Sequence, residues 1–122
     1  MMKKTPDSYN MRRNEHKQAA MFWQGYVIKV DAGMELLLTV FNKIPGIATV
    51  ASCIGDREKL GYVSFVGDNR RTVRSWVRKF AGCGGVFREA AYRNDIHSGC
   101  VRFERARLDD VCRLVSDLAE GV

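Results

Sequence analysis

The sequence predicts one α+β domain built as a two-layer sandwich, and three observations predict it. The chain has 122 residues, which is room for one hydrophobic core of ordinary size and not for two. Segments with apolar residues at helical spacing alternate with short β-branched and aromatic runs, in the order β-α-β-β-α-β-β-α. Hydrophobic residues at 46% and charged residues at 28% are globular proportions, which excludes a largely disordered chain. The first six elements match a ferredoxin-like β-α-β-β-α-β core, to which a strand and a C-terminal helix are added. A second division takes a helix plus a hairpin as the unit, used once over 34–66 and again over 70–105. Both divisions put the helices on one face of a sheet and leave the other face open.

Residues 1–20 are polar and basic without clear periodicity. They read as a flexible arm, with a short helix over 11–20, ahead of a folded domain over 21–122. Residues 25–30, Gly-Tyr-Val-Ile-Lys-Val, are rich in strand formers. Asp31 then offers a helix cap. Met34, Leu37, Leu38, Phe41 and Ile44 follow on one helical face, and Pro45-Gly46 stops that helix. Residues 47–54 and 60–66 read as an antiparallel hairpin around a charged loop. Asp68 or Asn69 caps a second helix whose buried stripe is Val73, Trp76, Val77 and Phe80, ended by Gly82. Residues 86–93 and 100–105 form a second hairpin. A last helix places Leu108, Val111, Cys112, Val115 and Leu118 on its apolar face, with Asp109 and Asp110 in its first turn, where they suit the helix dipole.

Charge is unevenly spread. Twenty Lys+Arg against fourteen Asp+Glu give +6, and residues 70–113 alone hold eleven bases against five acids, with ten of the bases Arg. The guanidinium is a rigid fork of donors matched to phosphate or carboxylate. An anionic partner is therefore expected, either nucleic acid or an acidic protein. The competing reading is a plain solvated surface. On the second helix Arg71, Arg74 and Arg78 fall at i, i+3, i+7, flanked by Arg70 and Lys79, with no acid among them. On the sheet, alternation turns Val63, Phe65, Val101 and Phe103 to the core. It turns Tyr62 and Arg102 outward, and Tyr92 reads as a second outward tyrosine, opposite in parity to Phe87 and Glu89. Tyrosines beside arginines on an open sheet stack bases and neutralise phosphates. The binding residues expected on these grounds are Arg70, Arg71, Arg74, Arg78, Arg102, Tyr62 and Tyr92.

No apolar run reaches the roughly 20 residues of a membrane-spanning helix, and the N-terminus lacks a secretory apolar stretch. The four cysteines, Cys53, Cys83, Cys100 and Cys112, are thus expected as reduced thiols in the cytoplasm. His97-x-x-Cys100 offers two metal ligands, but no second pair stands at zinc spacing, so neither metal nor cofactor is expected. Gly82-Cys83-Gly84-Gly85 follows a helix and precedes a strand, the reverse of a phosphate-binding loop.

The most distinctive segment is Pro45-Gly46-Ile47-Ala48-Thr49-Val50-Ala51-Ser52-Cys53-Ile54-Gly55. It resembles a Pro-Gly-Ile-x-Thr-x-x-Ser-Cys-x-Gly pattern of small uncharacterised bacterial and phage α+β proteins. Its Ser52-Cys53-x-Gly55 piece also resembles a motif of the wybutosine-synthesising methyltransferase family, which modifies a tRNA guanosine with S-adenosylmethionine. Many of the small proteins follow this glycine with His, where this chain has Asp56. Arg57 and Lys59 are close in sequence to Cys53, and cationic neighbours favour a thiolate.

Three functional expectations follow. The first is a small non-enzymatic binding protein that engages nucleic acid or an acidic protein surface, in the manner of a phage or mobile-element inhibitor of a host nucleic-acid enzyme. The second is a nucleotide- or RNA-modifying enzyme using Cys53, Asp56 and His97, which requires the two hairpin loops to lie together around a pocket. The third is an assembly subunit that pairs through its open sheet face.

Overall fold

A computed structural model describes residues 18–23 and 26–121. Strand β1 (Gln18–Trp23) pairs antiparallel with β2 (Tyr26–Asp31), from Gln18↔Asp31 to Trp23↔Tyr26. Helix α1 (Glu35–Phe41), strands β3 (Ile47–Cys53) and β4 (Gly61–Gly67) and helix α2 (Arg70–Ala81) follow. The chain then adds β5 (Glu89–Arg93), β6 (Ser98–Phe103), a 3-10 turn (Arg105–Arg107) and α3 (Leu108–Glu120).

The protein is α+β with two antiparallel sheets, one of two strands and one of four. The order of the larger sheet is β3-β4-β6-β5, which does not confirm the ferredoxin-like expectation. In that fold the strand before the first helix would lie inside the sheet and parallel to a neighbour. Here β2 pairs with β1 instead. The sheet order follows the second division of the sequence, two helix-plus-hairpin units joined where β4 meets β6. Each hairpin closes locally, and the two inner strands then satisfy one another's backbone groups.

β1 starts at Gln18, so the last three residues of the expected arm are strand and not helix. The rest of that arm lies outside the described residues. An isolated helix of that length is marginal, whereas an adjacent strand satisfies the backbone at once. Asp31 also departs from expectation. α1 has Met34 at its N-cap position with no side-chain cap, and the Asp31 carboxylate accepts from Ile54 N–H at 2.9 Å and from the Gln18 amide. It is buried, and it ties the two-stranded sheet to the end of β3.

The helical stripes bury as their spacing predicts. Met34, Leu37 and Phe41 of the first helical segment, Val73 and Phe80 of α2, and Val111 and Val115 of α3 are each exposed by 1% or less. Val63, Phe65, Val101 and Phe103 meet them from the sheet at 0%. Phe80 is the hub, with ring centroids 5.4 Å from Phe41, 5.8 Å from Phe65, 5.6 Å from Trp76 and 5.3 Å from Phe87. Gly99 lies under α2, and a Cβ there would overlap the Phe65 ring and stand 2.9 Å from Val77. Only glycine permits that approach.

Phe87 shows where strand parity fails. Residues 82–88 are turns and bends, β5 begins at Glu89, and Phe87 is buried against Phe80 despite sharing parity with the exposed Glu89.

Candidate anion-binding surface

α2 sets its cations out along one side. At 100° per residue, Arg71, Arg74 and Arg78 fall within an arc of about 60° and span about 10 Å of helix axis. All three are exposed, as are Arg70 and Lys79. Asn69 caps the helix, its side chain accepting from Thr72 N–H at 2.9 Å. The first turn holds no acid and instead begins with Arg70 and Arg71. Both therefore stand at the positive end of the helix dipole, where cations are disfavoured.

The remaining arginines sort differently. Arg88 pairs with Glu104 at 2.6 Å, Arg93 with Asp95 at 3.3 Å, Arg102 with Glu89 at 3.1 Å and Arg107 with Asp110 at 3.3 Å. Arg113 reaches Asp110 at 3.7 Å. Among the described residues no base of α2 has such an acid. Exposed pairs of this kind add little stability, but they do neutralise their charges locally. The surplus positive charge of the C-terminal half is thereby concentrated on α2.

The Arg74 guanidinium lies 4.8 Å from the centre of the Tyr92 ring and reaches Asn94 Oδ1 at 3.4 Å. The Tyr92 hydroxyl and His97 Nδ1 are 3.0 Å apart, and their rings are 6.4 Å apart. This cluster joins the turn between β5 and β6 to the arginine row. It also places Tyr92 opposite to expectation. Tyr92 pairs with Gly99 and packs on the helix side of the sheet, so it does not share the open face with Tyr62. Tyr62 and Arg102 do share that face. They are paired residues of β4 and β6, with the guanidinium 5.7 Å from the Tyr62 ring. Arg102 is held there by Glu89, so it is less available to an outside anion than the arginines of α2.

The structure does not bring Cys53, Asp56 and His97 together. Cys53 pairs with Tyr62, and Tyr62 with Arg102, at one end of the sheet. Phe65 pairs with Gly99, and Gly99 with Tyr92, toward the other end. The loop carrying Asp56 leaves the first end, and the turn carrying His97 leaves the second. Roughly 13 Å of strand separates them. A groove of about 850 Å³ does open beside the first loop. Its charged lining includes Asp56, Arg57, Lys59, Arg88, Glu104 and Arg105, both signs together, and Cys53 is not part of it.

The Cys53 thiol is also held in its neutral form. Burial pushes its pKa up, and the Asp31 and Asp56 carboxylates push the same way against a lowering hydrogen bond from the Gly55 backbone. The expected influence of Arg57 and Lys59 does not prevail: burial and the carboxylates of Asp31 and Asp56 outweigh the lowering contributions. Burial, aided by Asp109, likewise raises Cys112. A raised thiol pKa means that the folded state holds its proton more tightly than the unfolded chain. The stabilisation is complete below the ordinary thiol range and is lost as pH climbs through the raised values. The urea midpoint should therefore stay level from about pH 7 to 8.5 and fall above about pH 9. The fall should be shallower in Cys53→Ser. An identical fall in that variant would show that the Cys53 thiol carries none of the effect.

The distinctive segment around Cys53 has a conformational explanation. Gly46 and Gly55 have φ of +78° and +83°. A Cβ on Gly55 would stand 2.5 Å from the Gly61 backbone nitrogen, a distance real side chains do not adopt. Thr49 accepts at Oγ1 from the Asn42 amide at 2.8 Å, and its N–H donates to Asn42 Oδ1 at 2.9 Å, which fixes the end of α1 on β3.

All four cysteines are free thiols. Among the described residues no three His, Cys, Asp or Glu side chains are grouped to hold a metal ion, and no helix is long and apolar enough to cross a membrane. No family model matches the chain, and no curated protein or solved structure matches it.

Proposed function

We propose that the chain is a small non-enzymatic binding protein whose α2 face grips the phosphate backbone of a nucleic acid. One observation carries this reading. The arginines outside α2 are largely balanced by acids, while those on the exposed side of α2 have none among the described residues. Like charges one turn apart repel, and two of these sit against the helix dipole. An arrangement that opposes the stability of its own helix is explained by an external anion.

Nucleic acid suits this face better than an acidic protein does. Protein interfaces draw their energy from buried apolar and aromatic anchors ringed by polar groups. The large exposed hydrophobics among the described residues are Leu36, Val50 and Ile96, and none is on α2. Phosphate contacts need only charge and donors. The free thiols fit a reducing cytoplasm. The resemblance to small bacterial and phage proteins fits a compact factor of this kind. The acidic surface of a host nucleic-acid enzyme is the competing occupant.

The test replaces Arg71, Arg74 and Arg78 together by Gln and measures affinity for a labelled oligonucleotide across a range of KCl concentrations. The variant should bind more weakly at low salt. Its slope of log affinity against log salt should shrink by about 0.7 to 0.9 for each lost phosphate contact. An unchanged slope would reduce the row to a solvated face. Failure of the natural chain to bind any oligonucleotide, with capture of an acidic protein that the variant no longer holds, would transfer the site to the competing occupant.

A further inference from the structure

The turn between β5 and β6 carries features that the phosphate reading leaves unused. His97 is the one non-glycine residue with positive φ among the described residues, at 49°. Glycine is the usual occupant of such a position, and histidine is one of the few other side chains that take it, at a small cost. Ile96, beside it, is 60% exposed. The charge at the tip is cancelled, since Asp95 is paired with Arg93 at 3.3 Å. The left-handed backbone at His97 accompanies a side chain that reaches Tyr92, which the Arg74 guanidinium also faces. An imidazole, a phenol and a guanidinium thus stand together beside the phosphate-gripping row, and the exposed Ile96 is next to the imidazole in sequence.

Resting on the nucleic-acid reading, we propose that this turn receives an unpaired base, so that the nucleic acid held by α2 is single-stranded. Ile96 and the His97 ring contact the face of the base, and Tyr92 with Arg74 backs them. A base offers its face only when it has left a duplex stack, and aromatic and guanidinium planes are the surfaces on which freed bases settle. In a duplex the same turn would meet only the sugar-phosphate edge, where an exposed isoleucine gains nothing.

The experiment compares a single-stranded oligonucleotide with its own duplex, both labelled, for the natural chain, His97→Gly and Ile96→Ser. The natural chain should favour the single strand by about tenfold at fixed salt. His97→Gly should bring the two affinities close to equal. Its salt slope should not change, because no phosphate contact is lost, and its Tm should be unchanged or higher, because glycine adopts φ of 49° without strain. Ile96→Ser should reduce the preference without moving Tm. Equal affinities in the natural chain, or a preference that survives both substitutions, would overturn the inference while leaving phosphate binding in place. A preference lost only together with a fall in Tm would also overturn it, since the ring would then serve the turn alone. If neither oligonucleotide binds, this inference falls together with the reading beneath it.

Discussion

An Arg70→Glu/Arg71→Glu double variant is expected to unfold at a higher temperature than the natural chain and to lose about a hundredfold in affinity for an oligonucleotide at low salt. The two effects have one origin. α2 opens with two cations and no acid in its first turn, at the end of the helix where unsatisfied N–H groups carry positive charge. Reversing both charges removes two unfavourable interactions and adds two favourable ones, each about 0.3–1 kcal/mol. The gain is about 1–4 kcal/mol in all, or several degrees or more in Tm. The same change takes two guanidiniums from the proposed phosphate row and replaces them with groups that repel phosphate. Thermal melts and anisotropy titrations on one preparation measure both. Loss of stability together with loss of binding would mean that the arginines serve the helix and not a ligand.

Phe80→Ala is expected to cost about 3–5 kcal/mol. Domains of this size are stable by roughly 5–15 kcal/mol, so the variant should melt lower by more than about 10 °C and show a reduced urea midpoint. Phe80 is 1% exposed and lies against four other aromatic rings from α1, β4, α2 and the segment leading to β5. Its removal leaves a cavity that two helices and a sheet must collapse together to fill. Edge-to-face contacts with Phe65 and Phe87 go with it. A loss below about 1 kcal/mol would mean that the rings repack freely and that the core has no single hub.

The helices could be read directly from the chain. The stripes around Leu37 and Phe41, Val73 and Phe80, and Val111 and Val115 needed only the period of 3.6, and each is buried. The outward turn of Tyr62 and Arg102 was equally legible, because β4 and β6 are regular and alternate strictly. The same rule misplaced Tyr92, since bends before Glu89 break the count that was started from Phe87. The roles of Asp31 and Cys53 were hidden for another reason. Asp31 finds its partners, the Ile54 N–H and the Gln18 amide, far along the chain, and Asp31 in turn acts on the Cys53 thiol from a different strand.

Periodicity and composition are local properties, and they were enough to establish an α+β domain, its three amphipathic helices, its two hairpins and a C-terminal half crowded with arginine. Long-range pairing is not encoded in any one window. Which hairpin lies beside which, that β2 leaves the main sheet, and that His97 stands at the far end from Cys53 all depend on backbone groups finding partners tens of residues away. The division of the arginines into those held by acids and those left facing solvent depends on it in part. Arg102 meets Glu89, and Arg88 meets Glu104, only after the β5–β6 register has set them side by side, and with the local pairs Arg93–Asp95 and Arg107–Asp110 this leaves α2 with the unbalanced charge.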